Sequence, residues 1–419
     1  MRILFISRYF IDDPRTKVHG VYKRMGTFIE ALKEIAGLDV LFYTPPGTDY
    51  SPSQTKELEA RLSDYWQADI TLFLCPMREY GNQTPLGKAA SFGKGIFSIF
   101  EQQGYYEVSG GKQVRFLDEC LERRPSAVFA HRLSAMCPVL LTDKELPPVF
   151  FDFDDIEHIV LSRYIAQQAK TRSKLLRLLL PALIAGEKKS VRLSAETYIC
   201  SDKDRILLES EFGARNVAVI PNSVSVPDYS PPSTDQVLLF LSSDYGANLA
   251  AAKYLVHEIW PRVLKKLPQA KLIIAGTAAD KLGFNVAGIQ GLEVPGFVDD
   301  LDKLYENIRA TVAPILIAGG TRFKIIEAAA FGRPTVSTTV GAEGTEFVNG
   351  SEILIRDNPE DFADACVNLL VDIERASSIG IAAREKAIRL YDRQNVIVNI
   401  RQHINRQLRL NQNCYPTHP

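Results

Sequence analysis

The stretch Ile317–Gly344, IAGGTRFKIIEAAAFGRPTVSTTVGAEG, decides how the rest of the chain is read. An apolar run, Ala310–Pro314, leads into it with the composition of a buried strand. Gly319 and Gly320 then open a loop, a helix is expected from about Thr321, and Pro334–Ser337 reads as a second strand. Thr321 is a candidate N-cap, because a threonine hydroxyl can take an orphan N–H of the first turn. A capping box would put Glu or Gln at position 324, yet the chain has Lys324 there, with Arg322 close by. Cations in a first turn oppose the helix dipole by about 0.3–1 kcal/mol each, so two of them point to a ligand that needs them. Helix-end N–H groups, the dipole and two basic side chains together suit a phosphate. Glu327 lies further into the helix and can accept hydrogen bonds from hydroxyls on the same ligand. Phosphate at the mouth with a diol deeper in is the pattern of a nucleotide.

Outward from this unit the chain alternates strands and helices in two halves. Strands are expected at Ile3–Ser7, Val40–Tyr43, Ile70–Cys75, Ala127–Ala130, Val149–Phe153, Thr197–Cys200 and Val217–Ile220. After Asn222–Asp235, a proline- and serine-rich segment read as an interdomain linker, strands resume at Val237–Leu241 and Lys271–Ala275, with a short one at Ile353–Ile355. Helical spacing marks Val21–Ile35, Leu249–Leu267, Asp299–Ile308, Pro359–Val371, Ala376–Tyr391 and Asn395–Leu410. Strands that are apolar on both faces and separated by helices imply parallel sheets built from right-handed βαβ units. Residues 77–115 read as an insertion with one or two helices. The expected domains are 1–225, 226–392, and a tail 393–419 whose helix crosses back to the first.

With 419 residues, 46% apolar and 24% charged, the chain has the composition of an ordinary globular protein of two or three domains. A net charge of −1 gives no global field to recruit nucleic acid. Six scattered cysteines (75, 120, 137, 200, 366, 414) without a C-x-x-C pair read as reduced thiols, with Cys414 in a polar tail. The N-terminal MRILFISRYF lacks the small-residue cleavage site of a signal peptide, so a cytoplasmic location is expected. Ser162–Arg192 holds eight Lys or Arg against one acid, with leucines at helical spacing. It reads either as a solvated surface helix or as a face that rests peripherally on anionic lipid.

Several motifs resemble the GT-B glycosyltransferases, and more narrowly glycosyltransferase family 4. They are IPNSV at 220–224, VPGFVDD at 294–300, and TVAPILIAGGTRFKIIEAAAFGRPTVST at 311–338. The resemblance covers the second half with specific motifs and the first half loosely. It implies an α/β fold of two Rossmann-like doubly wound domains facing a cleft. It further implies a retaining enzyme that moves a sugar from a nucleoside-diphosphate sugar to a saccharide or lipid-linked acceptor, in cell-surface polysaccharide or glycan synthesis. By that resemblance Glu327 binds the ribose, the Gly319–Gly320–Thr321 amides meet the diphosphate or sugar, and Gly296, Phe297 and Val298 frame the base. Gly20 lets a loop of the first domain approach the donor, and His131 is a polar group near the transferred sugar.

The sequence also departs from that family. Gly319 stands where a first glutamate is common, and His19-Gly20 replaces a Gly-Gly pair. The loop SSDYGAN at 242–248 lacks the usual cations, and Arg322 and Lys324 are expected to supply that charge from the facing loop. Asp152-Phe153-Asp154 follows a buried strand and is read as a helix cap, as a metal pair, or as carboxylates that position an acceptor hydroxyl, Asp154 being the candidate carried forward with His131 as catalytic. No metal or other cofactor is expected. A nicotinamide oxidoreductase is excluded, because neither first strand is followed by G-x-G-x-x-G. A nucleotide-sugar epimerase on the same fold, or a relative that binds nucleotide-sugar without catalysis, stays open.

Overall fold

A computed structural model describes the chain except residues 16–18, 81–83, 168–170, 244–245, 278–280, 318 and 415–419; for 167, 171–172 and 411–414 only the backbone is described. The chain divides into two compact units, 1–220 together with 397–419, and 221–396.

The first unit is a seven-stranded parallel sheet: β1 (Arg2–Ser7), β2 (Gly37–Thr44), β3 (Ile70–Pro76), β4 (Ala127–His131), β5 (Val149–Asp154), β6 (Glu196–Ile199) and β7 (Val217–Val219). Its order is β3-β2-β1-β4-β5-β6-β7. The second unit repeats the plan with six parallel strands: β8 (Val237–Leu241), β9 (Lys271–Ala275), β10 (Leu292–Gly296), β11 (Ala310–Ala313), β12 (Thr335–Ser337) and β13 (Leu354–Ile355), ordered β10-β9-β8-β11-β12-β13. Helices cover the sheets, which is why runs such as Ile3–Ile6 and Leu238–Phe240 are fully buried. In each sheet the direction of winding reverses once, between β1 and β4 and between β8 and β11. In open α/β sheets ligands bind outside the carboxyl ends of the strands at such a point.

Several local expectations are corrected. β10 is absent from the expected strands; it is an edge strand whose exposed Glu293 and Pro295 hide the apolar signal. The helix expected over Leu249–Leu267 is two helices, Gly246–Tyr254 and Trp260–Lys266, joined by a π-turn at Leu255–Ile259 with Pro261 just beyond it. The helix expected over Asp299–Ile308 is Leu301–Glu306, capped by Asp300, whose side chain accepts from Lys303 N. The insertion at 77–115 contributes a helix, Pro85–Phe97, and two short turns.

The segment read as a linker is strapped along the second unit. Arg309 donates to the carbonyls of Ser233 and Thr234, Arg333 to Ser230 O at 2.7 Å, and Arg384 to Pro227 O at 2.6 Å. A proline-rich strand without a sheet partner leaves carbonyls for such donors to satisfy. The two ends of the unit meet in a parallel bridge between Val224 and Asp392, with Val224 N donating to Tyr391 O (2.9 Å) and Arg393 N to Val224 O (3.0 Å). The last helix, Arg393–Cys414, begins in the second unit and belongs to the first from Ile397 on, where His403 Nδ1 lies 3.2 Å from Glu196 Oε1.

The cysteines 75, 120, 137, 200 and 366 are buried and unbridged, as buried thiols should be; the side chain of Cys414 lies outside the described residues.

Candidate functional site

In the second unit the predicted site residues gather at the winding reversal. The helix after β11 runs Phe323–Ala330 and starts two residues later than expected. Arg322 is its N-cap and makes no side-chain cap bond. Thr321 is therefore not the cap; it is buried, and its hydroxyl accepts from Asn222 Nδ2 at 2.7 Å. Arg322 folds back so that its guanidinium donates to the carbonyls of Gly319 and Gly320, the latter at φ +56°. The cation thus braces the Gly-Gly turn from beside the helix mouth.

Lys324 reaches across to the end of β8. Its Nζ donates to Leu241 O (2.6 Å) and to Asn248 Oδ1 (2.8 Å) and sits 4.4 Å from the Phe240 ring centroid. Burial and the neighbouring Arg322 push this ammonium down to about 7, against the pull of Glu327. A lysine poised there can take up or release a proton near neutrality. Glu327 is half-buried one turn deeper, on the side of Tyr305, whose phenol is fully buried and stacks on Phe331. The ends of β8, β9 and β10 are laced together: Ser242 N donates to Ala275 O (2.8 Å) and Gly276 N to Gly296 O (2.7 Å). Gly276 has φ +121°, and a Cβ there would stand 2.1 Å from Ser242 O, so only glycine fits. Gly296 closes β10 at φ +81° with open space where a Cβ would be; Phe297 beyond it is 48% exposed and Val298 half-buried. A short loop therefore presents an aromatic ring and an open backbone at the carboxyl end of the same sheet.

In the first unit the carboxyl ends of β1, β4, β5 and β6 enclose a polar network. Arg24, on the helix Gly20–Lys33, donates through Nη2 to Asp152 Oδ1 (2.6 Å) and through Nη1 to Ile220 O (2.9 Å), with both residues buried. Asp154 Oδ1 accepts from Cys200 Sγ at 3.1 Å and lies 3.5 Å from Arg24 Nε, while Arg132 Nη1 is 3.5 Å from Asp154 Oδ2. Burial alone would raise the Asp154 carboxyl, but Arg132 and Arg24 hold it below the usual carboxylate range. His131 Nδ1 is 3.0 Å from Ser7 Oγ, and its Nε2 is 3.9 Å from Asp152 Oδ2. Burial and Arg132 push His131 down to about 3, so its imidazole is neutral. Arg132 (φ +68°) and Asp154 (φ +59°) both adopt left-handed backbone, which costs a non-glycine residue of order 1 kcal/mol or more. Two such residues at neighbouring strand ends mark a place where the fold holds side chains against local preference.

This geometry corrects the reading of the first unit. His131 is 0% exposed and Asp154 lies buried beside Arg24 and Arg132; Asp155, joined to Arg132 Nη2 at 2.7 Å, is the more exposed carboxylate. Asp152 and Asp154 are engaged by arginine, not arranged as a cap or an open metal pair. Gly20 is the first residue of its helix and uses helical backbone, so its positive-φ freedom is not drawn on. Sequence reasoning did not find Arg24, Arg132, Ser7, Asn222 or Asn248. Only Asn222 carried a signal, as part of IPNSV.

Parts of the chain are similar to known proteins. Residues 235–372 match the family profile of glycosyl transferases group 1. An uncharacterized 44.6 kDa protein in the cps region of Klebsiella pneumoniae is 25% identical over 162 residues, 36% of this chain and 42% of that relative, so the match spans under half of the relative's length. Among solved structures, sucrose-phosphate synthase from Thermosynechococcus elongatus superposes with a TM-score of 0.68 at 15% identity, covering 98% of this chain and 99% of that one. TarM of S. aureus, solved with UDP, gives 0.66 at 12% identity (97% and 99% covered), and HepE of Anabaena, solved with UDP and glucose, 0.59 at 14% (97% and 98%). The twin parallel sheets and the superposed structures agree that the chain has the GT-B fold, and its residues 235–372 are similar to the group 1 glycosyltransferases.

Proposed function

We propose that the protein is a retaining glycosyltransferase that moves a sugar from a nucleoside-diphosphate sugar to a saccharide or glycolipid acceptor. The observation that carries this reading is the reach of Lys324 from the helix mouth to the carboxyl end of β8. It puts a titratable ammonium where the loop 242–248 itself lacks a cation. The anomeric C–O bond of the donor breaks, and the nucleoside diphosphate leaves with the electron pair. The acceptor hydroxyl then forms the new bond and gives up its proton to an oxygen of the departing diphosphate. Negative charge grows on the leaving diphosphate, and fixed cations with helix-end N–H groups stabilise it as it grows. Arg322 and Lys324 take the part that a divalent metal plays elsewhere. The donor lies on the second unit, with Glu327 on the ribose hydroxyls and Gly296–Val298 at the base; the acceptor engages the first unit. The Klebsiella relative's cps location and the UDP held by HepE and TarM support a uridine-nucleotide donor and a role in surface polysaccharide.

The test is a panel of UDP-, GDP- and ADP-sugars read by thermal shift, then transfer to saccharide acceptors with and without EDTA. Binding of one nucleotide class, with EDTA-resistant transfer and the donor's anomeric configuration kept in the product by NMR, supports the reading. Free isomerised sugar without acceptor would establish the epimerase instead. Binding without transfer or hydrolysis would leave a nucleotide-sugar-binding protein, a reading that Gly319 at the position of a common glutamate keeps in view.

A further inference from the structure

The helix Pro85–Phe97 presents its apolar side outward. Leu86 is 84% exposed and Phe97 87% exposed, far above the usual state of such side chains. With Ala90 and Gly93 they fall at i, i+4, i+7 and i+11, a single stripe, and a Cβ at Gly93 would meet nothing within 4 Å. The opposite side carries buried Gly95, which faces Leu179 Cδ2 at 3.3 Å from its would-be Cβ. Gln102 Nε2 ties the two segments by donating to Gly95 O (2.8 Å) and Leu179 O (2.9 Å). The turn Leu175–Leu179 therefore lies beside this helix, and its Leu175 (53% exposed) and Leu178 (47%) are exposed as well.

The exposed charges on these two segments have one sign. Lys88 and Lys94 on the helix, and Lys174 and Arg177 at the turn, are exposed. The helix Pro85–Phe97 contains no acid. The one acid in 171–193, Glu187, is turned inward and fully buried, with its Oε2 2.5 Å from His158 Nδ1. An outward apolar stripe whose own helix and neighbouring turn expose cations matches an anionic bilayer, whose headgroups pair with those cations while the leucines and phenylalanine enter the acyl boundary.

We propose that the surface formed by Pro85–Phe97 and Leu175–Leu179 docks the protein peripherally on anionic lipid. Among the described residues no helix is long and apolar enough to cross a membrane, so this contact is a surface one. The proposal does not depend on the donor chemistry above.

The test is co-sedimentation of the full chain with phosphatidylcholine vesicles, with and without phosphatidylglycerol, across a salt series. Donor binding is read by thermal shift on the same preparations, so a failure here leaves the glycosyltransferase reading standing. The expected result is binding only to the phosphatidylglycerol vesicles, weakening with salt. A Lys94→Glu, Arg177→Glu variant should lose at least fivefold per site. A Leu86→Ser, Phe97→Ser variant should lose at least tenfold with an unchanged melting temperature, since both side chains are already exposed. Absence of binding at low salt, equal binding to neutral vesicles, or full binding by the serine variant would each overturn the proposal.

Discussion

Lys324 ties the chemistry of the second unit to one proton. Held down to about 7, it is half-charged in the free protein near neutrality. A diphosphate beside it favours the charged form, so donor binding should draw a proton from solvent above pH 7. Affinity is then level below that value and falls by up to tenfold per pH unit above it. Calorimetry in buffers of different ionisation enthalpy reads the uptake directly, and a pH-independent affinity would remove Lys324 from the site. Replacing Lys324 and Arg322 together by alanine should raise the donor KM by at least tenfold, given roughly 1.5–3 kcal/mol for a charge-assisted bond. His131 behaves in the opposite compartment of the pH scale. Its folded value is lowered, to about 3, while an unfolded histidine titrates near 6.5. The stability it supplies is complete above 6.5 and is lost as pH falls from there toward 3, because only the unfolded chain takes the proton. A His131→Gln variant should show a flatter urea midpoint over that window.

Between elements, the buried pair Arg24–Asp152 fastens the helix Gly20–Lys33 to β5. Removing either partner leaves a charge stranded in the interior, so Arg24→Ala or Asp152→Ala should cost about 3–5 kcal/mol in denaturant unfolding. Gly276→Ala would drive a methyl into Ser242 O and separate the ends of β8 and β9; a loss of order 1–3 kcal/mol and a raised donor KM are expected together. These elements differ in how far the chain announces them. Strands buried on both faces, such as β1 and β8, are legible because they carry unbroken apolar runs, Ile3–Ile6 and Val237–Leu241. β10 is not, because an edge strand with Glu293 and Pro295 turned outward has no such run. The helix start is misread by two residues because Thr321, an apparent cap, is claimed by Asn222 from 99 positions away. Lys324 and Glu327 are legible as a helix-mouth pattern, but the bond of Lys324 to Leu241, 83 positions back, belongs to the folded state alone. The enclosure of His131 and Asp154 has the same origin: their partners Ser7, Arg24 and Cys200 come from three other elements, and no local spacing encodes that meeting.

For the whole chain, a net charge of −1 conceals its distribution. Exposed cations near Phe97 and Leu178 leave the rest of the chain with a net negative charge, which disfavours an anionic membrane there on average. Acid in the interior is treated differently again. His158, inward against Glu187, is raised: burial opposes its charge, and the hydrogen bond to Glu187 outweighs it. Its contribution is whole below about 6.5 and is lost as pH climbs through the raised value, opposite in sense to His131. His158→Gln should therefore destabilise the chain more at pH 5 than at pH 8, measured by thermal melting.

The bridge joining Val224 to Asp392 has a consequence for engineering. Because the strand that enters the second unit and the one that leaves it are already pinned side by side, the portion 221–396 can be excised as a self-fastened module, with the two cut ends adjacent enough to accept a short peptide tether or a circular permutation. Such a fragment carries Arg322, Lys324 and Glu327 with it, and nucleotide binding by it would test the proposed donor assignment on that unit alone.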